Sequence, residues 1–139
     1  MDKYKLIEKL QEMLNYEYTD VFIYNTEAEL LENKIKNGAK LKSLYKNFAL
    51  DELTHAEIIS KKILDLKEKP IWEYKNFLVS KSVRESLKFH IEREIKAIRS
   101  YQELIENITD REFKIKLKGI KNDEEEHLKQ ITDFLNNLR

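Results

Sequence analysis

A chain of 139 residues fits one domain and is long enough to bury a core without covalent staples. It has no cysteine, which excludes disulfides, thiolate zinc sites and cysteine-held iron centres, so any metal must be held by Glu, Asp and His. Charged residues make up 37% but cancel to a net charge of +0, which argues against a nucleic-acid partner. The N-terminal MDKYKLIEKLQEML lacks the apolar core of a signal peptide and no window approaches a membrane span, so a cytoplasmic protein with no membrane partner is expected.

Two glycines and one proline leave few places to turn, which predicts mostly long helices. The first, about 3–36, carries Leu6, Leu10, Met13, Tyr24, Ala28, Leu31 and Ile35 at helical spacing and is expected to stop at Asn37-Gly38. The second, about 40–68, carries Leu41, Leu44, Phe48, Ile59 and Ile63 and ends before Pro70. Residues 69–82 include Ile71, Trp72, Tyr74 and Phe77 and read as an aromatic strap rather than a free linker. If the third helix starts at the far end from where the second stops, the strap must span about 40 Å, which ~13 extended residues can just reach. A simple up-down bundle with an oversized loop stays open as the alternative. Ser82-Val83-Arg84-Glu85 is a capping-box pattern for a third helix over about 83–107, and Thr109-Asp110-Arg111-Glu112 is another for a fourth over about 111–138. The expected fold class is all-α, a four-helix bundle of two hairpins joined by a crossover.

Each apolar seam is interrupted by acids. Helix one runs Leu10, Met13, Glu17, Asp20, Tyr24, Ala28, and helix three runs Leu87, His90, Glu94, Ala97, Tyr101, Ile105. Helices two and four carry a matched pair, DELTH at 51–55 and DEEEH at 123–127, which place Glu52 with His55 and Glu124 with His127 in the seam. Spacing i, i+3 puts Glu and His on one face of a helix. The interruptions fall roughly a dozen to fifteen residues from a helix end, so in a bundle they can meet at one level. Four buried glutamates would repel one another and suffer desolvation, so a positive charge must sit among them. Two divalent cations offset four glutamates, and the donor set suits iron, manganese or zinc. Glu125 and Glu126, on the flanks of the seam, are ordinary solvated acids.

This pattern resembles the ferritin-like di-iron carboxylate family, in which one Glu from each of two helices joins an E-x-x-H from each of the other two. Within it the sequence is most similar to rubrerythrin-like proteins, through the E-x-x-A-I-x-x-Y formed by Glu94, Ala97, Ile98 and Tyr101. The resemblance covers essentially the whole chain. It implies a ferritin-like bundle with two Fe ions, or Mn or Zn in their place, held by Glu17, Glu52, His55, Glu94, Glu124 and His127. Asp51 and Asp123 suit acceptance of the far N–H of a ligand histidine. Tyr24 and Tyr101, each seven residues after a ligand Glu, are core residues whose hydroxyls can bond a ligand carboxylate.

Two departures bear on the chemistry. Rubrerythrins carry a cysteine-rich partner domain that feeds electrons to the irons; without cysteine, electrons must come from an external donor protein or from an iron substrate. Rubrerythrins also have an extra Glu three residues after the helix-three ligand, where this chain has Ala97; the matching place on helix one is Asp20, a candidate seventh carboxylate. His90, one turn from Glu94, is a candidate third imidazole, with a packed or surface histidine as the plainer alternative.

The resemblance implies a di-iron peroxidase or oxidase that reduces hydrogen peroxide or O2 in oxidative-stress defence. The alternative is bacterioferritin-like ferroxidation, iron handling or storage. Against a storage cage, the sequence stops at Leu138-Arg139 without a short fifth helix, and a homodimer is the expected assembly. An oxygenase acting on an organic substrate is a third reading.

Overall fold

The computed structural model describes residues 1–138; Arg139 lies outside the described residues. Its regular elements are helical, and the chain divides into two compact units, Met1–Val79 and the part from Ser80 onward, each built on one hairpin.

The first unit holds α1 (Lys3–Leu31), a 3-10 turn (Glu32–Lys34) and α2 (Gly38–Asp65). The Asp2 carboxylate accepts a hydrogen bond from the Lys5 N–H at 2.8 Å, capping the first turn of α1. Helix α1 stops at Leu31 rather than near residue 36. There the chain tightens into the 3-10 turn, and Ile35 is extended, at φ −142° and ψ 163°. Gly38 does not terminate α1, as the sequence suggests, but opens α2, and a Cβ there would overlap the Glu32 carbonyl oxygen. Gly119, within α4, has open space around it. Gly38→Ala is therefore expected to cost about 1–3 kcal/mol in denaturant unfolding, as other overpacking does. Gly119→Ala should add up to about 1 kcal/mol through helix propensity.

Between α1 and α2 the buried Tyr24 ring stands edge-on to Tyr45 at 5.1 Å and to Phe48 at 5.4 Å. On the surface Lys42 Nζ lies 3.2 Å from Glu29 and 3.4 Å from Glu32, and Lys46 Nζ lies 3.1 Å from Glu29. Hydrogen bonds from Lys46 and then Lys42 hold the Glu29 carboxyl below its ordinary range. This cluster therefore adds its small, salt-screened support at neutral pH and loses it as pH falls through the lowered Glu29 value.

Helix α2 ends in a Schellman turn. The Glu68 N–H donates to the Ile63 carbonyl at 3.1 Å, and the Lys67 N–H to the Leu64 carbonyl at 2.9 Å. Lys67 sits at φ 67°, the left-handed region that normally goes to glycine. Lys67→Gly is expected to raise stability by about 0.5–1 kcal/mol, measured as a higher denaturant midpoint at unchanged slope.

Beyond Pro70 the strap lies along α1 and is pinned by two side-chain amides one helical turn apart. Gln11 Nε2 donates to the Lys69 carbonyl at 2.8 Å while its Oε1 accepts from the Ile71 N–H at 2.9 Å. Asn15 Nδ2 donates to the Ile71 carbonyl at 3.1 Å and its Oδ1 accepts from the Glu73 N–H at 3.1 Å. The two carboxamides act as a neighbouring strand would, satisfying backbone groups on alternate residues. Trp72 lands between Tyr18, at 5.3 Å, and Phe22, stacked at 5.4 Å.

The second unit holds α3 (Val83–Asn107) and α4 (Arg111–Asn136). Ser82 caps α3 by accepting from the Glu85 N–H at 3.1 Å. The cap of α4 is Asp110 rather than the hydroxyl residue before it: the Asp110 carboxylate accepts from the Phe113 N–H at 3.1 Å, which starts the helix in the register that buries Phe113. Leu87, Tyr101, Leu117, Ile120 and Ile131 are buried in this hairpin.

Candidate metal centre

Each hairpin builds the same trio. In the first unit Glu17 comes from α1, and Glu52 and His55 from one face of α2. His55 Nδ1 is 3.4 Å from Glu17 Oε2 and 3.7 Å from Glu52 Oε1. In the second unit Glu94 comes from α3, and Glu124 and His127 from α4, with His127 Nδ1 3.7 Å from Glu94 Oε1 and 3.6 Å from Glu124 Oε1. All six residues are at most 2% exposed. Within each trio one ligand atom per residue lies within 4.8 Å of the others.

These spacings exceed the 2.7–2.9 Å of a charge-assisted hydrogen bond, so the imidazole and carboxylates converge without closing on one another. Buried polar residues among those described include the carboxylates of Glu17, Asp20, Glu27, Glu52, Glu94 and Glu124, but no lysine or arginine. Such an accumulation of buried negative charge is stable only with protons or cations among the carboxylates. Oxygen and imidazole donors at this separation fit a divalent transition metal, which takes each at about 2.0–2.2 Å.

The other sequence candidates divide by position. Asp20 and Tyr24 follow Glu17 along α1 and are buried at 1% and 0% exposure. Tyr101 is buried on α3, seven residues past Glu94, with the small Ala97 between them. His90 is fully buried, so the surface alternative for it is excluded; the neighbouring Phe89 ring is 5.3 Å away and edge-on. Asp51 and Asp123 are exposed at the flanks of their helices, as are Glu125 and Glu126.

Sequence reasoning missed Glu27, fully buried on α1 one turn past Tyr24, and Ser86, buried one turn before His90. The signal for Glu27 was present as Tyr24-x-x-Glu27, but the neighbouring Ala28 also fits the seam and masks it.

Two matched carboxylate–imidazole trios, each buried in a helical hairpin, could each hold a metal ion. The ferritin-like domain family matches residues 7–139, and the chain belongs to it. Among solved structures, the chain is similar to a ferritin-like, diiron-carboxylate protein from Bacillus anthracis, with 27% identity over 97% of this chain and 99% of that one and a TM-score of 0.89. It shares its fold with a dodecameric thioferritin, the bacterioferritin-related protein of Bacteroides fragilis, with 23% identity over 99% of this chain and 88% of that one and a TM-score of 0.88. The fold class is thus the all-α ferritin-like four-helix bundle expected from the sequence. No curated protein matches the chain. No helix among the described residues is long and apolar enough to cross a membrane.

Proposed function

We propose that the trios supply the ligands for two irons, and that the protein is a rubrerythrin-like peroxidase or oxidase using hydrogen peroxide or O2. The observation that carries this reading is the duplication itself: each hairpin presents a lone Glu and an E-x-x-H at near-identical spacing, the ligand set of di-iron carboxylate bundles. Two such ions, when bound, would supply two electrons together to an O–O bond.

The chain's own residues do the rest. Glu17, Glu52, Glu94 and Glu124 carry the negative charge that two divalent ions neutralise. His55 and His127 would each offer a ring nitrogen to the metal, with Asp51 and Asp123 as acceptors for the far ring N–H, which would fix the tautomer. Asp20, one turn from Glu17 and equally buried, is the seventh carboxylate, and Tyr24 and Tyr101 orient ligand carboxylates. Ile59, one turn past His55, and Ile120, one turn before Glu124, are buried and would keep bulk water from those helix faces. Electrons come from an external donor protein, and the protein works as a homodimer in the cytoplasm.

Similarity to a bacterioferritin-related protein favours a second reading, ferroxidation and iron handling. Stopped-flow spectra of the reduced, iron-loaded protein separate the two. Faster oxidation by peroxide than by O2 supports the peroxidase, and the reverse order supports the ferroxidase. Asp20→Ala is expected to lower iron content and peroxide turnover; unchanged values would remove Asp20 from the site.

A further inference from the structure

The unit Met1–Val79 holds the chain's only tryptophan in a setting that metal binding does not explain. The amide clamp of Gln11 and Asn15 sets Trp72 against Tyr18 at 5.3 Å and Phe22 at 5.4 Å, and Tyr74, 61% exposed, touches Phe22 edge-on at 6.5 Å. Tyr18 is one peptide bond from the ligand Glu17. Contacting rings therefore run from the surface to the neighbour of a metal ligand. In a chain without cysteine, Trp and Tyr are the side chains that give up one electron most readily. Trp72 Nε1 is buried and meets no hydrogen-bond acceptor among the described residues. With nowhere to pass its proton, the indole loses an electron as a cation radical and regains one without waiting for a proton to return.

We propose that Tyr18 and Trp72 form a one-electron relay between the surface and the metal centre. It deepens the di-iron reading, from which its oxidant comes, although the coupling of the two rings stands without metal. Hydrogen peroxide needs two electrons and two protons to leave as two waters. A single bound ferrous ion would supply one electron and Tyr18 the second, Tyr18 also releasing its phenolic proton and solvent giving the other proton. Trp72 then returns an electron to the Tyr18 radical, which recovers a proton from water; this step is the uphill reverse of tyrosine oxidation by a tryptophan radical and is drawn forward as the Trp72 cation radical is refilled. The Trp72 cation radical is refilled at the surface by an external one-electron reductant such as a reduced flavin. The relay thus protects the ligands from an oxidising equivalent that would otherwise attack them.

The coupling is tested on metal-free protein by oxidising the indole with azide radicals in pulse radiolysis. The tryptophan radical should decay into a tyrosyl radical in a step independent of protein concentration. Tyr18→Phe, which keeps the ring, should slow that step at least about tenfold, and Tyr74→Phe should leave it unchanged. An unchanged rate in Tyr18→Phe, or loss of the step in Tyr74→Phe, overturns the relay. With sub-stoichiometric ferrous iron and peroxide, freeze-quench EPR should show a tyrosyl radical that is absent in Tyr18→Phe and, with reductant present, longer-lived in Trp72→Phe. Iron oxidation by peroxide with no Tyr18-dependent radical overturns the relay and leaves the di-iron reading standing. Failure of peroxide to oxidise the iron at all defeats the di-iron reading, while the metal-free result still reports on the rings.

Discussion

Glu52→Gln is expected to weaken metal binding at least about 100-fold and, at the same time, to raise the melting temperature of the metal-free protein. The two effects share one cause. Glu52 is fully buried on α2, with its Oε1 3.7 Å from His55 Nδ1 and a second carboxylate, Glu17, on the facing helix. Without metal this site holds excess negative charge in a medium that disfavours it. A neutral amide of the same shape removes that charge and supplies N–H donors, so the apo protein should gain on the order of 1–3 kcal/mol. The amide is a poor ligand for a divalent transition metal, so the stabilisation that metal gives the wild type is lost. A calorimetric scan of both proteins with and without metal checks the inversion: Glu52→Gln melts higher when metal-free and shows no shift on loading. If the acid were a structural ion-pair partner, the variant would melt lower in both states.

Removing metal from the wild type is the second large effect. A ligand that binds only the folded state stabilises it by RT ln(1 + [L]/Kd), about 2.7 kcal/mol per site at one hundred times Kd. Two sites should therefore shift the melting temperature of a chain this size by on the order of 10 °C or more. His55→Ala combined with His127→Ala should abolish the shift, because each trio loses its only nitrogen ligand. Each replacement also leaves a cavity in the core, so the informative quantity is the difference between loaded and chelated samples of the same variant. A full-sized shift that survives in the double variant would place the metal elsewhere.

The candidate site was legible because helical periodicity needs only local spacing. Glu52 with His55, and Glu124 with His127, share a helix face at i, i+3, and the acids at 17 and 94 stand where apolar residues belong. The Ser82 cap was legible for the same reason, being a local hydrogen bond to the Glu85 N–H. What stayed hidden depends on distant partners. Gln11 and Asn15 look like any polar residues on an exposed helix face, and only the return of residues 69–73 makes them a clamp. The turn at Gly38 was misread because glycine after a helix signals a stop, whereas here the close approach of the Glu32 carbonyl demands the missing side chain. Lys67 gave no sign of its left-handed backbone, since that conformation is imposed by the Schellman closure rather than preferred by lysine.

Anaerobic titration of the metal-free protein with ferrous iron, read as ions bound per chain, tests the central claim most directly. The account predicts about two ions per chain. Glu52→Gln and Glu124→Gln should each reduce that number or its affinity. No binding above background, or binding that both variants retain at wild-type strength, would contradict it.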